Sequence, residues 1–105
     1  MTETLNQRDF ITAQVSSGAP LRLADVLPSG SRWHHMLIGV AGGAIRWLAI
    51  PNTSRIPSAT EGAYVGAGGQ IDWTKPDTDY AGLIYNAKFA KAGAQDATLE
   101  ISLFW

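Results

Sequence analysis

From Ala81 to the end of the chain the side chains keep a period of two, the repeat of a pleated strand whose successive residues point to opposite faces. Ala81, Leu83, Tyr85, Ala87 and Phe89 alternate with Gly82, Ile84, Asn86 and Lys88. After Gly93 the pattern resumes, with Ala97, Leu99, Ile101, Leu103 and Trp105 alternating with Thr98, Glu100, Ser102 and Phe104. Two long antiparallel strands are expected, the last of them internal to the fold or sealed by a neighbour. The alanine-rich stretch Tyr85 to Gln95 also suits a short helix with Phe89 and Ala92 on one side, so strand and helix both stay open for 85–95.

The same period recurs upstream in shorter pieces. Ile11, Ala13 and Val15 alternate with Phe10, Thr12 and Gln14, and the strand stops at Ser16-Ser17-Gly18. Leu21-Arg22-Leu23 follows as a second strand, then a turn over Asp25 to Gly30, where Pro28 fixes φ and Gly30 permits positive φ. Trp33–Ala41 and Ala44–Ile50 flank Gly42-Gly43, a dipeptide suited to a two-residue hairpin. That register sets Val40 against Ile45, Ile38 against Trp47 and Met36 against Ala49 on a core face. The reverse face pairs Gly39 with Arg46, Leu37 with Leu48 and His35 with Ile50. It is only half polar, so a second layer of the same chain or another subunit is expected to cover it. Tyr64-Val65 and Gln70-Ile71-Asp72-Trp73 read as two further rungs.

About seven or eight short strands separated by Gly and Pro turns, with no helix long enough for a parallel crossover, define the fold class as all-β. The expectation is a single antiparallel β-sandwich or flattened barrel, jelly-roll-like, over residues 10–105, preceded by a polar arm at 1–9. A chain of 105 residues suffices for one such core. The absence of cysteine leaves that core to packing alone.

Composition narrows the partners. A formal net charge of −1 without any cluster of Lys or Arg lacks the footprint of nucleic-acid or anionic-membrane binding. The most apolar stretch, Met36 to Ile50, is interrupted by Gly42, Gly43 and Arg46 and falls short of the ~18 apolar residues of a span. The polar start Met1 to Asp9 has neither the basic beginning nor the apolar run of a signal peptide, so synthesis in a cytoplasm is the default.

Each constellation that suggests chemistry has a plainer reading. His34 and His35 are adjacent and would point to opposite faces of a strand, which prevents joint chelation. Asp72, Asp77 and Asp79 gather oxygen ligands around Pro76, yet without the Gly and closing Glu of an EF-hand loop, and Asp beside Pro is ordinary turn chemistry. Gly62, Gly66, Gly68 and Gly69 lack the Lys and following helix of a phosphate loop. An enzyme would need a cleft holding two of Asp72, Asp77, Asp79 and Glu100. Trp47 and Trp105 fall on core faces, whereas Trp33 and Trp73 stand near strand ends and are the candidates for stacking on a sugar. No catalytic residue, cofactor or metal is expected. The strongest candidates are interface residues: Leu37, Leu48 and Ile50 as an apolar patch, with Gly39 admitting a neighbour.

In texture the stretch Ala63-Tyr64-Val65-Gly66-Ala67-Gly69, through Trp73 and Tyr80 to Phe89, with the closing strand Leu99 to Trp105, resembles the small accessory virion proteins of tailed bacteriophages. The closest likeness is to capsid cement or decoration proteins. The resemblance covers about half the chain and carries no signature motif or functional residue. It implies a non-enzymatic structural protein of the virion that self-associates, as a homotrimer, and binds the major capsid protein between capsomers. An arm reaching to a neighbour and stabilisation of the head against internal pressure come with it. The alternative is a carbohydrate- or receptor-binding β-sandwich of a tail fibre or tail tip, resting on Trp33 and Trp73.

Overall fold

A computed structural model describes residues 6–16, 20–27, 33–49, 55–74 and 87–105. They form the strands β1 (Gln7–Val15), β2 (Leu21–Arg22), β3 (His35–Ala41), β4 (Ile45–Leu48), β5 (Ala63–Val65), β6 (Gln70–Thr74), β7 (Lys88–Lys91) and β8 (Ala97–Phe104), with one helical turn, α1 (Leu23–Val26). Sheet I has the order β1-β8-β3-β6 and sheet II the order β2-β7-β4-β5, and all pairings are antiparallel. The expected all-β sandwich is present.

The topology follows one rule. β1 pairs with β8, β2 with β7, β3 with β6 and β4 with β5, so each strand meets the one equally far from the other end of the series. The chain is in effect one long hairpin, bent at the β4–β5 connection and rolled up. The β3–β8 and β4–β7 pairings join its turns within each sheet. That is the jelly-roll arrangement of two Greek keys.

Alternation assigns the faces. β3 buries Met36, Ile38 and Val40, β8 buries Ala97, Leu99, Ile101 and Leu103, and Phe89 and Ile45 meet them from sheet II. Each fully buried Leu, Ile or Phe side chain contributes about 1.5–3 kcal/mol. Trp73 of sheet I and Trp47 of sheet II contact edge to face across the layers, with centroids 5.2 Å apart and planes at 82°. α1 turns Leu23 and Leu27 into the same core, and Leu23 N–H donates to the Ala87 carbonyl at 2.9 Å.

The expected hairpin at Gly42-Gly43 is replaced by a crossover, and a second crossover links β7 to β8. β3 and β4 lie in different sheets, as do β7 and β8, so Val40 does not pair with Ile45, nor Leu37 with Leu48. A two-residue primed turn of the Asn-Gly type needs positive φ at both central residues. Only Gly42 of the pair has it, at 85°. The chain instead steps from one sheet to the other, and the two crossovers run side by side. Ala92 N–H donates to the Ala44 carbonyl at 2.9 Å, and a Cβ on Gly43 would lie 2.6 Å from the Gln95 carbonyl oxygen. Gly43 is required by this close approach.

Two boundaries also move. Gln7, Arg8 and Asp9, expected in the arm, belong to β1, with a register shift between Gln7 and Asp9. Residues 88–91 are strand, so the helical reading of 85–95 fails there. β8 is internal, flanked by β1 and β3. Residues 1–5 of the arm and the 81–86 part of the alternating stretch lie outside the described residues, as does the turn at Pro28 to Gly30.

Candidate functional site

The four interface candidates do not form one patch. Leu37 and Gly39 face outward from β3 on sheet I, while Leu48 faces outward from β4 on sheet II, with the whole sandwich between them. Ile50 lies outside the described residues. The half-polar reverse face of the expected hairpin is thus two separate surfaces.

The two stacking candidates are core residues. Trp33 is fully buried and Trp73 is 6% exposed. Both stand near strand ends, yet both belong to the buried core, Trp73 against Trp47 of sheet II. Trp47 and Trp105 are half-buried and pack against the core.

The carboxylates are also dispersed. Asp72 and Glu100 are exposed on the outer face of sheet I, on β6 and β8 with β3 between them. Asp77 and Asp79 lie outside the described residues. His35 Nε2–H donates to Asp72 Oδ1 at 2.9 Å, and His35 Nδ1 shares a hydrogen bond with the Thr74 hydroxyl at 3.3 Å. His34 precedes β3 and is exposed. Among the described residues no three His, Asp or Glu side chains are grouped to hold a metal ion, and no polar side chain is buried in the interior.

What the fold does assemble is the outer face of sheet I. Its register builds rows across the four strands. Phe10, Ser102, Leu37 and Asp72 form one row, and Phe104, His35 and Thr74 the next. Phe10 is 52% exposed. The Phe104 and His35 rings meet at 5.6 Å, inclined by 66°. On the other side of Leu37 runs the row Thr12, Glu100, Gly39 and Gln70. Gly39 has no backbone need to be glycine, since a Cβ there would make only ordinary contacts, 3.8 Å from Glu100 Cβ and Oε1. A glycine inside a central strand weakens the strand and often marks a place where another backbone or a ligand comes close.

The outer face of sheet II is different, because its own chain lies over it. Arg46 Nε donates to the Ala59 carbonyl at 3.0 Å and Arg46 Nη1 to the Gly62 carbonyl at 2.9 Å. Lys88 Nζ donates to the Arg55 carbonyl at 3.4 Å, and Pro57 is buried. The Arg46 guanidinium also sits over the Tyr64 ring, 5.2 Å from its centroid. The cover expected for the half-polar surface is therefore supplied by segment 55–62 on sheet II. Among the described residues, nothing equivalent crosses sheet I.

Phe10 and Phe104 were missed as site residues. Each stands in the outward phase of its strand, beside Thr12 and Gln14 or Glu100 and Ser102, so the phase was readable. Their convergence on Leu37 depends on β8 lying between β1 and β3, which no local pattern encodes.

The described residues define a jelly-roll arrangement of eight strands with an apolar interior, and among them no segment crosses the outer face of sheet I. Compared with known proteins, the chain matches no family model, and no curated protein or solved structure is significantly similar to it.

Proposed function

We propose that this protein is a non-enzymatic structural component of a virion, of the capsid decoration or cement type, which self-associates and binds the major capsid protein. The observation that carries the reading is the outer face of sheet I. It presents Phe10, Leu37 and Phe104, with the side-chain-free position Gly39 in the row on the far side of Leu37 from Phe104. Eight-stranded jelly rolls serve as viral capsid domains, lectins and cupins. A domain that works on a small molecule held inside needs polar groups pointing inward, whereas the described core here is built from apolar residues throughout. A lectin needs exposed stacking surfaces, and Trp33 and Trp73 are buried. The capsid use needs an outer contact face, and the half-apolar outer face of sheet I supports that reading. In this reading the protein is made in the host cytoplasm and resides on the particle. A homotrimer is the stoichiometry implied by the family resemblance.

The test is recovery with particles. Virions produced by the genome that encodes this chain are banded on a density gradient and their proteins identified by mass spectrometry. The chain is expected in the particle band alongside the major capsid protein, and Leu37→Asp should remove it from that band while the protein still folds. A chain found only in the soluble fraction overturns the proposal.

A further inference from the structure

The four sheet edges of the sandwich are unequal. Sheet II ends on β2, two residues long and carrying Arg22, and on β5, three residues long. Sheet I ends on β6, five residues with Asp72 at its centre, and on β1, nine residues long. Natural edge strands are kept short, charged, bulged or interrupted by proline, because a long plain edge is a template for another strand. From Phe10 to Val15, β1 has none of these protections: no charge, no proline, and a continuous register against β8. The irregularity and the charges Arg8 and Asp9 are confined to its beginning. Among the described residues, no strand pairs with its other side.

The direction of the open groups can be read from one bond. Phe10 N–H donates to its neighbour Asp9 Oδ1 at 2.8 Å, so it does not point toward β8. In an antiparallel ladder alternate residues turn both backbone groups to the same side. Thr12 and Gln14 therefore present their N–H and C=O on the open edge with Phe10, while Ile11, Ala13 and Val15 bond to β8.

We infer that β1 pairs antiparallel with β1 of a second copy across a two-fold axis at Thr12, joining two sheets I into one eight-stranded sheet. In that register Thr12 exchanges its two backbone bonds with Thr12 of the other copy, and Phe10 pairs with Gln14 in both directions. Ile11 lies beside Ala13 on the inner side. No like charges meet, since Arg8 and Asp9 fall opposite Ser16 and Val15. The apolar gain comes from Phe10, 52% exposed, and Ile11, half-buried although it faces inward, because both would be covered twice over by the symmetric contact. Asp9 releases the Phe10 N–H when Gln14 of the second copy takes it. The inference rests on β1 alone and requires no virion; of the outer face of sheet I it uses only the residues of β1 itself.

Purified protein is examined by sedimentation velocity over a wide concentration range, with amide hydrogen exchange at low and high concentration. A concentration-dependent dimer is expected, in which the Phe10, Thr12 and Gln14 amides gain protection while those of β6 do not. Thr12→Lys, which places like charges at the axis on an exposed side chain, should abolish the dimer without altering thermal unfolding at low concentration, where the parent is monomeric. Thr12→Pro, which removes an open-edge N–H but no bond to β8, should do the same. A monomer at all concentrations, or a dimer or trimer unchanged by both variants, overturns the pairing. A variant-insensitive trimer would leave the decoration reading standing, whereas recovery with virions has no bearing on the edge.

Discussion

The two outer faces of the sandwich began as one surface in the sequence and became two with different fates. On sheet II, Arg46 and Lys88 point out from short strands and are roofed by segment 55–62 of the same chain. On sheet I the strands are longer, seven residues in β3 and eight in β8, and Leu37, Phe10 and Phe104 stand without such a roof among the described residues. A half-apolar outward phase thus has two physical outcomes, self-coverage or a partner. The difference is made by the β4–β5 connection. It joins neighbours within one sheet, and its segment 55–62 folds back across that sheet, whereas the Gly42-Gly43 crossover passes directly from β3 to β4 and covers neither face.

The largest expected effect comes from the interior that both faces share. Trp33→Ala should cost about 3–5 kcal/mol in urea unfolding, as for a large aromatic removed from a packed core; a stable variant with changed glycan binding would restore the stacking reading. Gly43→Ala comes next, at about 1–3 kcal/mol, because its new methyl has backbone rather than a flexible side chain to displace. Arg46→Ala tests the roof directly. Loss of its two bonds to carbonyls should lower stability by about 1 kcal/mol and speed amide exchange or proteolysis across 55–62, and an unchanged segment would mean that the Lys88–Arg55 bond and the buried Pro57 suffice to hold it.

The smaller effects separate the faces. Gly39→Ala meets no obstacle and should raise the stability of the isolated domain by about 0.5–1 kcal/mol while weakening particle association. Leu37→Asp and Leu48→Asp, at half-buried strand positions, should each lower stability by about 1 kcal/mol, Leu37→Asp the more because it faces Asp72. Only Leu37→Asp is expected to abolish association. The reverse result would move the contact face to sheet II.

Most of the strands were legible residue by residue. The phases of Phe10–Val15 and Ala97–Trp105, and the buried set Met36, Ile38, Val40, Leu99 and Ile101, all follow from a period of two. What misled was proximity. Gly42-Gly43 between two apolar runs satisfies the local requirements of a hairpin, and the same glycines also permit a tight crossover in which Gly43 passes under the Gln95 carbonyl. Trp33 and Trp73 misled for a related reason, since residues near strand ends count as exposed only if nothing closes the ends.

The sequence by itself determined which side of each strand faces the core, because the pleat enforces alternation whatever the neighbour is. It also determined that the fold would be all-β and, without cysteine, held by packing. The tertiary structure alone decided who pairs with whom, and so which outward residues share a surface. Pairing across β1–β8 or β3–β6 joins residues far apart in the chain, and its free energy lies in burial between whole sheets. A local pattern carries the face of a residue and not its partner.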